Sequence, residues 1–112
     1  MKIAFTAKGT AWDSMMDPRF GRTLFIVLYD DESKTLISFD NGAVENEAHG
    51  AGTATAQKIF ELGPNVLITG NGPGSHAVQV LKKINMRIFT EAHNMTIKQA
   101  FEKYKNGELN EI

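Results

Sequence analysis

The stretch Asn65-Val66-Leu67-Ile68-Thr69-Gly70-Asn71-Gly72-Pro73-Gly74-Ser75-His76 decides how this chain folds. Val66, Leu67 and Ile68 form a short apolar run that reads as a strand buried on both faces. Three glycines follow within five residues, and then Ala77, Val80, Leu81 and Ile84 recur at i, i+3, i+4 and i+7, the spacing of an amphipathic helix. Pro73 suits a first helical turn. The glycines tolerate positive φ and let a ligand approach bare backbone. Unpaired N–H groups at the helix start point into the same space and favour an anion. A side-chain-poor surface therefore lies where small α/β proteins bind ligands.

Outward from this unit, residues 3–7 read as a first strand, followed by a long loop over 8–22. The apolar run 24–29 and the run 34–39 read as an antiparallel pair across the polar turn Asp30-Asp31-Glu32-Ser33. A helix starts near Gly52-Thr53, buries Ala56, Ile59 and Phe60, and stops at Gly63-Pro64. Residues 87–90 give a fifth strand. A last helix starts at the N-cap Thr96, buries Ile97, Ala100, Phe101 and Tyr104, and ends at Gly107. The order is βββαβαβα. Helical crossovers join parallel strands, so strands one, three, four and five run the same way. The expected fold is α/β, a three-layer ribonuclease H-like arrangement around a mixed five-stranded sheet of order 3-2-1-4-5, with strand 2 antiparallel. The first two helices share one face and the last covers the other. Loop 8–22, the first helix start and loop 70–74 then emerge at one sheet edge, where chain direction reverses between strands one and four.

Composition bounds the function. The 112 residues make one domain, 1–112, with 42% apolar and 22% charged residues. Net charge is −1 and the longest basic run is Lys82-Lys83, which leaves nucleic-acid binding without an electrostatic footprint. No run of 18 apolar residues and no leader pattern is present, so neither membrane nor secretion is expected. The absence of cysteine excludes disulfides, thiolate catalysis and cysteine ligation, and fits a cytoplasmic chain; a monomer is expected.

Three constellations carry candidate chemistry. The loop with Gly70, Asn71, Gly72 and Gly74 lacks the Lys-Ser/Thr of a Walker loop. It also fails the dinucleotide fingerprint, because Ser75 stands where Gly or Ala is wanted, although Glu91 sits about 20 residues on. It is either a ligand loop or a turn needed for packing. His49-Gly50-Ala51-Gly52-Thr53 puts a histidine and glycines at a helix start, where His49 either ligates or is solvated; His76 faces the same space and His93 lies further out. Asp17-Pro18-Arg19-Phe20-Gly21-Arg22 offers two arginines to clamp an anion, or a structured connection with Phe20 capping the core. Met15 and Met16 read as apolar cover, and the loop they occupy as the least ordered part of the protein. A two-metal nuclease needs carboxylates on the first strand and at the end of the fourth, and both positions lack them. No serine nucleophile elbow is present.

Asp17-Pro18-Arg19-Phe20-Gly21-Arg22, His49-Gly50-Ala51-Gly52 and Leu67-Ile68-Thr69-Gly70-Asn71 with Gly74, in this order and spacing, resemble the dinitrogenase iron–molybdenum cofactor-binding family. The ending Thr96-Ile97 … Ala100-Phe101 … Tyr104-Lys105-Asn106-Gly107-Glu108-Leu109 also resembles it, and the likeness spans about residues 2–109. It implies a ribonuclease H-like fold without nuclease carboxylates, and a non-enzymatic carrier of an anionic iron–sulfur or iron–molybdenum cluster or its precursor, supplied by a cluster-delivery protein. It implies contacts from Arg19, Phe20, Gly21, Arg22, Gly50, Gly52, Thr53, Gly70, Asn71, Gly72 and Gly74. Such carriers use His or Cys ligands, so here ligation falls to His49 or His76. The alternative is a small-anion or nucleotide module on the same glycine edge.

Overall fold

The computed structural model describes residues 1–42 and 50–112. Its elements are β1 (Lys2–Ala7), β2 (Phe25–Asp30), β3 (Thr35–Asp40), α1 (Ala51–Leu62), β4 (Val66–Ile68), α2 (Ser75–Lys82), β5 (Arg87–Thr90), α3 (Ile97–Lys105) and β6 (Asn110–Glu111). They form one sheet, ordered β3-β2-β1-β4-β5-β6. β2 is antiparallel to both β1 and β3, whereas β1–β4 and β4–β5 are parallel pairs. The expected 3-2-1-4-5 order is present, and chain direction reverses between β1 and β4.

The correction lies at the far edge. Asn110–Glu111 is a sixth strand, antiparallel to β5, so β2 is not the one reversed strand. Two residues carry no readable period. Tertiary contacts hold them: the Arg87 guanidinium donates to both Glu111 carboxylate oxygens at 2.8 Å, and Lys82 Nζ donates to the Ile112 carbonyl at 3.0 Å.

Two apolar cores lie on opposite faces, as alternation along the strands requires. Ala4, Ile26, Leu28, Leu67 and Ile88 face α1 and α2, meeting Ala56, Ile59, Ala77 and Leu81. Ile3, Phe5, Val27, Tyr29 and Ile68 face α3, meeting Ile97 and Ala100. Gly63 ends α1 in the left-handed region at φ 65°, its N–H donating to the Ile59 and Phe60 carbonyls. Phe60 is only half-buried; Thr55 takes a buried place in α1 instead. α2 starts at Ser75 with Gly74 as N-cap, so Pro73 precedes the helix.

The segment 8–22 is not the loose loop its composition suggests. Trp12 and Met16 pack into the α3-side core, while Phe20, 5% exposed, packs into the opposite one. Trp12 meets Phe5, Tyr29 and Phe101 ring to ring, at 6.3, 5.0 and 5.6 Å between centroids. Bridges Ala7–Met16 and Met15–Thr96 and the bond from Met16 N–H to the Met95 carbonyl at 2.9 Å bind its backbone. The segment is a strap that crosses the sheet edge from one face to the other, anchored at each end by apolar side chains.

Candidate functional site

The strap, the start of α1 and the β4–α2 loop meet at the edge where β1 and β4 end. Asp17 organises the strap. Its carboxylate is fully buried, and each oxygen is satisfied twice. Oδ1 accepts from Arg19 N–H at 3.0 Å and Arg19 Nε at 3.2 Å; Oδ2 accepts from Arg19 Nη2 at 3.2 Å and Leu24 N–H at 3.1 Å. This is the Asx-type turn that Asp before Pro favours, closed by a side chain two residues on. Arg19 therefore reaches the edge as an oriented fork, 44% exposed. Arg22 lies three residues on, half-buried.

Two candidate glycines serve packing. A Cβ on Gly70 would stand 2.5 Å from the Asp17 carbonyl and 2.8 Å from Pro18 Cα. On Gly21 it would stand 2.7 Å from Gly52 N. The strap thus lies directly on both the β4–α2 loop and the start of α1. Asn71 N–H donates to the Pro18 carbonyl at 3.1 Å, and Gly70 O accepts from Glu91 N–H at 2.7 Å. Gly70, Gly72 and Gly74 all keep negative φ, so the left-handed freedom expected of this loop is unused; close backbone approach is what Gly70 supplies.

A Cβ on Gly72 would stand 3.3 Å from Thr90 Oγ1, and the remaining three candidate glycines are open. A Cβ on Gly50, Gly52 or Gly74 meets nothing within 4 Å. Gly50 takes φ 77° as N-cap of α1, and Gly74 is the extended N-cap of α2; neither helix has a side-chain cap or an acidic residue in its first turn. The first helical bonds are Ala54 N–H to Gly50 O and Val78 N–H to Gly74 O. The N–H groups of Ala51, Gly52 and Thr53, and of Ser75, His76 and Ala77, have no acceptor among the described residues. Two helix starts on one sheet face bring N–H groups unpaired among the described residues, and positive dipole ends, to one edge.

Sequence reasoning missed a polar network beneath this edge. Asn41 Nδ2 donates to the Thr23 carbonyl at 3.1 Å and to Thr55 Oγ1 at 3.0 Å, and Thr55 Oγ1 donates to the Gly21 carbonyl at 2.6 Å. It ties the end of β3, α1 and the strap together. Its only sequence signal is polar residues in otherwise apolar surroundings. Thr6 Oγ1, Asn41 Oδ1 and His93 Nδ1 are buried with no partner among the described residues; such atoms call for water or a ligand. His76 is exposed in the first turn of α2, and His49 falls outside the described residues. Among the described residues, no three His, Asp or Glu side chains gather to hold a metal ion. None of their helices is long and apolar enough to cross a membrane.

The structure is similar to the apo form of the orange protein (ORP) from Desulfovibrio gigas, with TM-score 0.91 and 33% identity over 99% of this chain and 92% of that one. It is also similar to a protein from Thermotoga provisionally named NifB and placed in the DUF35 family, with TM-score 0.81 and 26% identity over 98% and 91%. No curated protein sequence matches. The sequence profile described as dinitrogenase iron-molybdenum cofactor covers residues 1–107, and with the strap, the glycine loop and both helix starts inside that span, the chain belongs to the dinitrogenase iron–molybdenum cofactor family.

Proposed function

We propose that this chain is a non-enzymatic binding and carrier domain for an anionic iron–sulfur or iron–molybdenum-type cluster or its precursor, working in the cytoplasm. The observation that carries the reading is the pair of helix starts at one edge without side-chain caps, where the N–H groups of Ala51, Gly52, Thr53, Ser75, His76 and Ala77 have no acceptor among the described residues. Membership of the family supports the cargo class. The donor set suits a cluster gripped by its anionic outer atoms: backbone N–H groups, the Arg19 fork and Arg22 supply hydrogen bonds and charge. Without a preformed three-ligand site among the described residues, direct ligation would fall to His76, with His49 as partner. Gly70 and Gly21 hold the strap against both helix starts; Gly72 and Asn71 form the rim, and Phe20 anchors Arg19 and Arg22 from below.

Anaerobic purification with metal analysis and an absorption spectrum tests the cargo. Iron in the protein, and loading of a cluster from iron and sulfide, support the reading. Binding of ATP or inorganic phosphate without metal would replace it by a small-anion module on the same donors. Arg22→Gln is expected to weaken cluster binding by about 1.5–3 kcal/mol and flatten its salt dependence. Arg19 must be changed together with Asp17, as Asp17→Asn/Arg19→Gln, because removing the arginine alone leaves a buried carboxylate short of donors. His76→Ala separates ligation from backbone gripping: unchanged cluster affinity would leave the N–H groups and arginines as the binding set.

A further inference from the structure

At the edge of the sheet opposite β6, β3 has no partner on its outer side among the described residues. It is six residues long, contains no proline, and carries two of the exposed large apolar side chains, Ile37 (51% exposed) and Phe39 (36%). Edge strands are usually blunted by charge, proline, a bulge or short length, and Thr35-Leu36-Ile37-Ser38-Phe39-Asp40 has only its terminal Asp40. An open groove of about 260 Å³ lies beside Phe39, lined by Ile26, Asp40, Lys58, Glu61 and Leu62.

Hydrogen-bond parity fixes how a second strand can join. Asn41 N–H donates to the Leu24 carbonyl, which continues the β2–β3 register Phe25↔Asp40 by one pair. In an antiparallel ladder, bonded pairs alternate with unbonded ones, so Phe39, Ile37 and Thr35 turn their backbone groups toward β2. Leu36, Ser38 and Asp40 turn theirs outward. Side chains alternate as well: Ile37 and Phe39 share the α1 face with their partners Leu28 and Ile26, while Leu36 packs on the α3 side.

We propose that β3 is the contact of a two-fold homodimer, in which β3 of each copy pairs antiparallel about Ser38. Only registers that bring outward groups opposite outward groups can form bonds. Centring on Ser38 does so, with Ser38 facing the partner's Ser38 and Leu36 facing the partner's Asp40. The same register sets Ile37 opposite the partner's Phe39 and Phe39 opposite the partner's Ile37. These are unbonded pairs, in which side chains come closest. The apolar residues left exposed on one copy are thus the complements of those on the other, which is what an isologous interface demands. The groove beside Phe39 receives the partner's Ile37. The sheet continues from one copy into the next, and the β1–β4 edge with its helix starts is two strands away from the contact.

Sedimentation of the purified protein, with and without edge variants, tests this. The wild type is expected to dimerise at micromolar to tens-of-micromolar concentration, as befits a small interface. Ser38→Pro removes an outward N–H and leaves the β2–β3 ladder intact, as edge proline does. Ser38→Pro and Ile37→Lys should each weaken the dimer on the order of 100-fold with an unchanged circular dichroism spectrum. The chain has no cysteine, so single cysteines report the register alone. Ser38→Cys should oxidise readily to a covalent dimer, because bonded pairs lie about 5.5 Å apart at Cα, within disulfide reach. Thr35→Cys, also exposed, lies about 20 Å from its counterpart in this register and should not. A wild type that stays monomeric at about 100 µM overturns the proposal. So does a dimer indifferent to Ser38→Pro and Ile37→Lys, or cross-linking at Thr35→Cys as fast as at Ser38→Cys.

Discussion

The start of α3 and the starts of α1 and α2 solve the same problem in opposite ways. Every helix begins with N–H groups that have no partner within the helix. At α3 all are used. Ile97 and Lys98 donate to the strap carbonyls of Ser14 and Trp12 at 2.9 and 3.0 Å, Gln99 donates to Thr96 Oγ1 at 3.1 Å, and the Gln99 side chain accepts from Thr96 N–H at 2.8 Å. At α1 and α2 the N-caps are glycines without a side chain, and the first N–H groups have no acceptor among the described residues. The chain contains the means to close a helix start and uses them away from the β1–β4 crevice. The glycines divide in parallel: Gly21 and Gly70 are packed against backbone, whereas Gly50, Gly52 and Gly74 border open space. Glycine density by itself therefore marks no ligand site; what a side chain would meet there separates the packed glycines from the open ones.

The largest expected effect falls on the closed side. Asp17→Ala takes the buried carboxylate away from the Arg19 and Leu24 backbone N–H groups, and denaturant unfolding should show a loss of about 1.5–3 kcal/mol for each of these charge-assisted bonds. Stability unchanged within experimental error would mean the strap is not what fixes the edge. Gly70→Ala forces a methyl against the Asp17 carbonyl and should cost about 1–3 kcal/mol, whereas Gly52→Ala, with room for the methyl, should gain roughly 0.5–1 kcal/mol of helix stability. Equal effects of the two would erase the distinction between packed and open glycines.

Thr96→Ala removes one half of the capping box and should cost about 0.5–2 kcal/mol with no change in anion or cluster binding. Gly74→Asp does the reverse. A carboxylate cap on α2 should raise stability by only a few tenths of a kcal/mol, since glycine is already a fair N-cap, yet abolish cluster loading by occupying the free donors with negative charge. Cluster loading unaffected by this substitution would break the comparison at its centre.

The smallest effect is a control at β6. The Arg87 guanidinium holds the Glu111 carboxyl below its ordinary range, chiefly through their hydrogen bonds. A carboxyl whose value is lower in the folded chain stabilises it above the unfolded value and ceases to do so as pH falls through the folded one. Amide protection at Ile112, whose N–H donates to the Ile88 carbonyl, should therefore drop on acidification while that of β1 persists. Glu111→Gln should remove this pH dependence and leave cluster binding alone.

The pattern of residues makes most of the architecture legible. Apolar runs and glycine stops mark the five main strands and three helices, and the crossover rule turns their order into a sheet order with one edge for function. Candidates at that edge are legible for the same reason: Arg19, Gly52, Gly70 and Gly74 all follow strands that end there. β6 escapes because it exists through Arg87 and Glu111, far apart in sequence. Asp17 escapes because a charged residue in a polar loop reads as solvated until four donors surround it.

Sequence by itself determined the fold, the family and the edge at which the candidate residues gather, because hydrophobic period, chain direction and glycine positions are local properties that topology rules convert into geometry. Only the tertiary structure decided which glycines are packed and which are open, that the strap is anchored through Trp12, Met16 and Phe20, and that Arg19 arrives already bound to Asp17. Those facts depend on distances between segments remote in the chain, and no periodicity within a segment encodes what another segment will bring against it.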